Sequence, residues 1–160
     1  MFGADTIAEF ERAAEARFQE ATLLMQHGFR GAAAYLFGCC AELVVKAAAF
    51  RFLGLGPHDR ITKAVRDQVW NDAVNIMGIQ FRKDGHDAPG WAKWLAEARK
   101  RVAAAYDPAW EADLLQHSGT AHAVWLPDMR YRELEAVISD ADPAEISRAV
   151  RWLISNRDRF

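Results

Sequence analysis

From Thr6 to His27 apolar side chains recur at steps of three and four, at Ile7, Phe10, Ala14, Phe18, Ala21 and Met25, with Glu11, Arg12, Glu15 and Glu20 opposite. That period is helical. Thr6 and Glu9 have the spacing of a capping box and Gly28 closes the segment, so the pattern predicts a first helix over 6–27. A second helix, about Arg30 to Leu53, is apolar nearly all round, which marks it as the central rod of a bundle. Gly54, Gly56 and Pro57 stop it. A third, roughly Arg60 to Met77, turns Ile61, Val65, Val69, Ala73 and Ile76 or Met77 to one side. Residues 82–90, with two glycines and a proline among charged side chains, read as an exposed, mobile loop. A fourth helix from Trp91 to about Tyr106 points Trp91, Trp94 or Leu95, Ala98 and Val102 inward. Asp107 and Pro108 supply the cap and first position of a fifth, ending near Ser118 and Gly119. Pro127 interrupts the stretch from Thr120 to about Asp140. Asp142 and Pro143 open a last helix whose core positions are Ile146, Val150, Leu153 and Ile154.

Composition agrees with the pattern. The chain has 30 alanines against 20 valines, isoleucines and threonines together, and alanine favours helices while β-branched residues favour strands. At 160 residues, 51% hydrophobic and 26% charged, it matches one globular unit rather than a disordered chain. The expected fold is a single all-α domain over 1–160, an antiparallel up-and-down bundle of four to six helices. A net charge of −2 recruits no polyanion by itself, so any nucleic-acid contact must come from a local basic patch. The longest uncharged apolar run, Gly31 to Ala41, is shorter than the ~20 residues of a bilayer span, and no membrane partner is expected. Asp5 and Glu9 stand where an export signal needs a basic start and an apolar core, which predicts a cytoplasmic protein. Cys39 and Cys40, adjacent in the apolar helix, read as buried thiols.

The second helix and the turn after it carry a resemblance. Ala41-Glu42-Leu-Val-Val-Lys46-Ala47, then Gly54, then Pro57-His58-Asp59, resembles the A-E-x-x-x-K-A … G … H-D pattern of the HEPN superfamily, the "higher eukaryotes and prokaryotes nucleotide-binding" helical bundles. Upstream, Gly28-Phe29-Arg30-Gly31-Ala-Ala-Ala-Tyr35 fits the small-residue entry to that helix, and Met129-Arg130-Tyr131 resembles the Arg-Tyr before the final helix. The resemblance covers about half to two-thirds of the chain, and residues about 66–127 match only as generic helix. It implies a bundle that is frequently dimeric. Members act as metal-independent ribonucleases or as nuclease-inactive modules for nucleotide, nucleic acid or a protein partner such as a nucleotidyltransferase. The ribonuclease branch carries Arg, four to six residues, then His late in the chain. Here Arg51 and His58 have six residues between them but straddle a helix end, and Arg82 and His86 have three between them in a loop.

Each candidate constellation has two readings. Glu42 and Lys46, four apart with the acid first, form either a structural ion pair that fixes helix packing or a ligand or dimer contact. Asp59 caps the third helix beside a rim histidine, or His58 is a general base. His117 and His122 are five apart, roughly 140° round a helix, so no metal site is expected. No serine sits in a nucleophile elbow, and no glycine-rich phosphate motif or cofactor signature is present. Arg148, Arg151 and Arg159 fall at helical steps with Ser155 between, joined by Arg130, Arg132 and the run Arg99-Lys100-Arg101. They form a solvated face or a phosphate-binding groove. Of six tryptophans, Trp70, Trp91, Trp94 and Trp152 fit core stripes, whereas Trp125 is a candidate for an exposed seam or pocket.

The expectation is a non-catalytic HEPN-like module, homodimeric and without cofactor, binding nucleotide, RNA or a nucleotidyltransferase-like protein near Glu42, Lys46, His58, Asp59, Arg130 and Tyr131. Arg148, Arg151 and Arg159 are its nucleic-acid-binding candidates. The alternatives are a ribonuclease with His58 or His86 as acid or base and Arg51 or Arg82 steadying the phosphorane, and a plain protein-interaction bundle.

Overall fold

Helix α1 (Ile7–Gln26) begins with the capping box read from its sequence: Thr6 Oγ1 accepts the Glu9 N–H at 3.3 Å, and a Glu9 carboxylate oxygen accepts the Thr6 N–H at 3.0 Å. In this computed structural model, residues 6–82, 85–102, 106–123, 125 and 143–159 are described. Gly28, at φ +84°, turns the chain into α2 (Arg30–Phe52). Only a residue without Cβ adopts that left-handed conformation at no strain. The two helices are joined by three residues and pack along their lengths, burying Ile7, Ala14 and Ala21 of α1 with Phe10, Phe18 and Met25 half-buried beside them. The six-position stripe is therefore the buried face.

Helix α2 is the centre of the bundle and touches α1, α4 (Ala88–Arg101), α5 (Pro108–His122) and α6 (Pro143–Ser155). Fourteen of its 23 residues are buried, on every side of the rod. Among the described residues it is the one helix long and apolar enough to cross a membrane, and 72% of its most apolar window lies inside the bundle. Past Gly54 the Pro57 carbonyl accepts the Ala8 N–H at 2.9 Å, tying the exit of α2 to the start of α1.

The remaining helices are α3 (Lys63–Asn75), α4 (Ala88–Arg101), α5 (Pro108–His122) and α6 (Pro143–Ser155), then a 3₁₀ turn at Arg157–Arg159. Their side chains join those of α1 and α2 in one hydrophobic cluster, and no strand occurs among the described residues. The all-helical class is as expected.

Several boundaries and faces differ from the sequence reading. Helix α3 starts at Lys63 because Thr62 takes the cap, accepting the Val65 N–H, while Asp59 accepts the Gly56 N–H at 2.7 Å and closes the preceding turn instead. Ile76 is exposed and Met77 packs inward, since the helix has ended. Helix α4 begins three residues earlier than predicted and stops at Arg101, leaving Val102 outside at 49% exposure. Helix α5 runs through Gly119 to His122, because burying Ala121 and His122 outweighs the ~1 kcal/mol that one internal glycine costs.

The largest difference is the 82–90 segment. Gly85, Asp87, Ala88 and Gly90 are buried, not exposed. Asp87 satisfies the local backbone: its carboxylate accepts the Arg82 N–H at 2.9 Å and, as the cap of α4, the Gly90 N–H at 3.1 Å. Trp91 Nε1 donates to the Gly85 carbonyl at 2.9 Å. With those groups paired, a polar loop can be buried without orphaned backbone. Arg130, Tyr131, Arg132, Pro127 and the Asp142 cap lie outside the described residues.

Candidate functional site around Glu42

Glu42 sits midway along α2, 5% exposed, with its carboxylate held between two bases. One turn on, Lys46 Nζ donates to Oε1 at 2.5 Å. From the α3–α4 connection, His86 Nδ1 lies 3.1 Å from Oε1 and 3.3 Å from Oε2. A carboxylate only accepts, so Nδ1 carries the hydrogen and Nε2 is the nitrogen left for another partner. The His86 side chain is half exposed, which opens that nitrogen to solvent.

Behind His86 stands a second, buried imidazole. His122, at the end of α5, is 6% exposed, and among the described residues neither ring nitrogen has a hydrogen-bond partner. Its pKa lies below the ordinary histidine value, first because burial disfavours the cation; Asp87 and Glu42 pull it up and Arg82 pushes it down. Burial thus favours its neutral form. Trp125 fills the space between the two imidazoles, 6.2 Å from the His86 ring and 5.4 Å from that of His122. The same indole lies against Gly38 of α2, so close that a Cβ there would come within 2.1 Å of Trp125 Cγ. Trp125 is thus buried, at 3% exposure, and presents no exposed seam. Next to it Cys39 is half-buried and Cys40 fully so. Burial pushes the Cys40 thiol up to about 12 and is also the largest cause of the rise at Cys39.

On the other side of Lys46 a cleft of about 180 Å³ opens. Its walls are aromatic, Phe10, Phe50, Trp91 and Trp70; Phe10 to Phe50 and Phe50 to Trp91 are 6.1 and 5.5 Å between ring centroids, and Phe81 packs behind, 5.0 Å from Trp91 and stacked on Trp70 at 4.8 Å. Trp70 is 39% exposed rather than in the core, so part of its ring is open to an incoming group. Two cations border the cleft. Lys46 Nζ lies 5.5 Å from the Trp91 ring centre, and Arg66 of α3 donates to the Ile61 carbonyl at 3.1 Å while lining the same opening. A second, more polar cleft of about 240 Å³ lies beyond the 79–87 segment, lined by Arg82, Lys93 and Asp87.

The sequence candidates divide accordingly. Glu42, Lys46 and His86 come together, and Arg82 is near enough to His122 to act on it electrostatically. Arg51 lies elsewhere, paired with Glu11 of α1 and donating to the Arg157 carbonyl at 2.9 Å. His58 and Asp59 sit exposed on the turn after α2. Arg148 and Arg151 are exposed on α6, with the Arg151 guanidinium 5.7 Å from the Phe18 ring centre. Arg159 leaves their row: it pairs with Asp107 at 3.2 Å and leans over Trp110. The Arg99-Lys100-Arg101 run is divided among three separate contacts. Arg99 is buried against Glu111 and Trp110, Lys100 pairs with Glu97, and Arg101 donates to the Ile76 carbonyl.

His117 stacks on Trp152 at 4.6 Å while His122 faces Trp125, so the two histidines do not converge. Among the described residues no group of three or more His, Cys, Asp or Glu side chains is arranged to hold a metal ion. The sequence reading did not anticipate Arg66, Trp70, Asp87 or His122 here. For Arg66 and Trp70 the signal was the clustering of aromatic and basic residue types across α3 and the following connection; Asp87 and His122 carried none. The walls suit a flat aromatic group, the cations suit an anion, and the oriented imidazole suits proton transfer. Compared with family models, curated proteins and solved structures, the chain matches none.

Proposed function

We propose that this chain is a HEPN-like binding module that takes a nucleotide or a short single-stranded RNA segment in the Lys46 cleft. The observation that carries the reading is the presence, in one opening, of Lys46 and Arg66 together with the partly exposed Trp70 and the more buried Trp91. Base stacking on an aromatic contributes about 1–3 kcal/mol, and a cation at the phosphate adds a salt-dependent attraction. The Glu-x-x-x-Lys spacing that suggested the family supplies the cation here, since Glu42 and Lys46 sit on the innermost helix with Lys46 reaching the rim. In this reading the molecule is a homodimer, and a nucleotidyltransferase-like protein is a candidate partner.

The test is quenching of tryptophan fluorescence by uridine and adenosine monophosphates and by a short oligouridylate at low and moderate salt. Lys46→Ala and Arg66→Ala should each weaken binding about tenfold and flatten its salt dependence, and Trp70→Ala should remove most of the quench. Wild-type protein that binds none of these at millimolar concentration in low salt overturns the proposal.

A second reading, metal-independent RNA cleavage, is favoured by one observation: Glu42 orients His86 Nδ1 and leaves Nε2 open as a base. Cleavage of oligouridylate that is lost in His86→Ala and kept in His58→Ala and Arg51→Ala would favour it over the pure binding module.

A further inference from the structure

Two clefts share one strip of chain. Gly85 and Trp91 line the Lys46 cleft, whereas Arg82, Asp87, Gly90 and Lys93 line the cleft of about 240 Å³. Gly90 and Trp91 are consecutive, with Cα atoms about 3.8 Å apart, yet they stand one in each opening. Phe81 packs its ring against Trp70 and Trp91, while its chain neighbours Gln80 and Arg82 border the second cleft. The divider is therefore one backbone thick. It is also pinned, since Asp87 accepts the N–H of Arg82 at 2.9 Å and that of Gly90 at 3.1 Å, and Trp91 Nε1 donates to the Gly85 carbonyl at 2.9 Å.

We propose that the second cleft is a phosphate subsite for the same ligand, a single-stranded RNA whose base stacks in the Lys46 cleft and whose neighbouring phosphodiester is held by Arg82 and Lys93 across the strip. The proposal rests on the cleft reading above and narrows its ligand from a nucleotide to a strand. The two openings differ in the way such a ligand needs. The first is walled by aromatic rings, and the second is bordered by the exposed side chains of Arg82 and Lys93. A site for single strands joins a stacking platform to cations that follow the backbone, and here the two lie on either side of one segment. The planar guanidinium of Arg82 matches a pair of phosphate oxygens, and the Lys93 ammonium adds a mobile point charge. Asp87 also lines the second cleft, but its carboxylate is turned to two backbone N–H groups and the residue is 5% exposed, so the acid is not presented to an entering anion.

The probes are uridine monophosphate and hexauridylate, titrated by tryptophan fluorescence at several salt concentrations against wild-type protein, Arg82→Gln and Lys93→Gln. Both side chains are exposed, so the variants should keep the wild-type Tm. Hexauridylate should bind the wild type at least about tenfold more tightly than the monophosphate in low salt, and each variant should weaken it about three- to tenfold and lower the slope of log affinity against log salt by about 0.7. The monophosphate, held by the first cleft, should bind both variants as it binds the wild type. Hexauridylate that binds no more tightly than the monophosphate overturns the strand and leaves the cleft standing. Tight hexauridylate binding that neither variant weakens overturns it too, by sending the backbone elsewhere. Equal loss for both probes overturns it as well, because Arg82 and Lys93 then serve the first cleft. No binding of either probe to the wild type sinks the cleft and the strand together.

Discussion

Replacing Gly38 by alanine sets two effects of opposite sign against each other. In the middle of α2, alanine is the better helix former by about 1 kcal/mol. The new methyl, however, would lie 2.1 Å from Trp125 Cγ, 2.3 Å from Cδ1 and 2.4 Å from Cβ. These atoms are the root of the side chain, not a flexible tip, so no small rotation relieves the contact. Overpacking a buried site costs about 1–3 kcal/mol when the neighbours can shift. Expelling a large aromatic outright costs about 3–5 kcal/mol, and Trp125 is only 3% exposed. After subtracting the propensity gain the two cases leave about 0–2 and about 2–4 kcal/mol, so Gly38→Ala should destabilise by about 2 kcal/mol, which in a chain of this size lowers Tm by roughly 4–8 °C. The decisive arm is the same substitution in a Trp125→Ala background. With the ring absent the clash is gone, and Gly38→Ala should become neutral or stabilising by up to about 1 kcal/mol. Thermal unfolding followed by circular dichroism on the four proteins gives the cycle. If Gly38→Ala raises Tm with Trp125 in place, the packing of Trp125 on α2 is not as described.

Glu111→Ala should destabilise by about 2 kcal/mol in urea unfolding, because it removes the carboxylate 3.5 Å from the Nε of buried Arg99, which keeps its hydrogen bond to the Arg159 carbonyl; Arg99→Met with Glu111→Leu should recover most of that loss. Because His122 is depressed in the fold, the unfolded chain binds a proton that the native one refuses. Its contribution is whole above the unfolded value near 6.5 and is lost as pH falls through the lower native value, so His122→Gln should flatten stability against pH below about 6.5, and an unchanged profile refutes the assignment. Cys40, pushed up to about 12, and Cys39, also raised, should resist iodoacetamide at about pH 8 in native protein and both react in denaturant; rapid native labelling at either contradicts the burial.

What the sequence made legible was whatever depends on neighbours along the chain. The capping box of Thr6 and Glu9, the stripe of α1, the cap by Asp107 and the encirclement of α2 are all written within a few turns of helix. The pair Glu42 and Lys46 was visible for the same reason, being four apart. What completes the site was not, because it depends on residues far apart in sequence. His86 reaches Glu42 across 44 positions, and a histidine in a glycine-rich, charged stretch carries no local sign of that destination. Contiguous basic residues are hard to read for a related reason. A run such as Arg99-Lys100-Arg101 is contiguous in sequence, but a helix sends its members in different directions, here to Glu111, to Glu97 and to the Ile76 carbonyl.

The glycines show most directly where a local reading goes astray. Gly85 and Gly90, with a proline and charges nearby, have the composition of a solvated turn, yet each lies under an aromatic ring. A Cβ on Gly85 would come within 3.3 Å of Trp70, one on Gly90 within 2.8 Å of Phe81, and one on Gly38 collides with Trp125. Trp70 stands in the cleft wall with Phe81 stacked on it, and Trp125 lies beside His86 and His122. The missing side chains are therefore what let indole and phenyl rings close down around Glu42 and Lys46. A glycine opposite an aromatic is a packing partner, and its distribution follows the site rather than the turns. At Gly85 two demands coincide, since φ is +77° and the ring of Trp70 is overhead. A substitution there strains the backbone and pushes on the cleft wall at once, whereas at Gly28 or Gly54, with open space around a positive φ, only the first penalty applies.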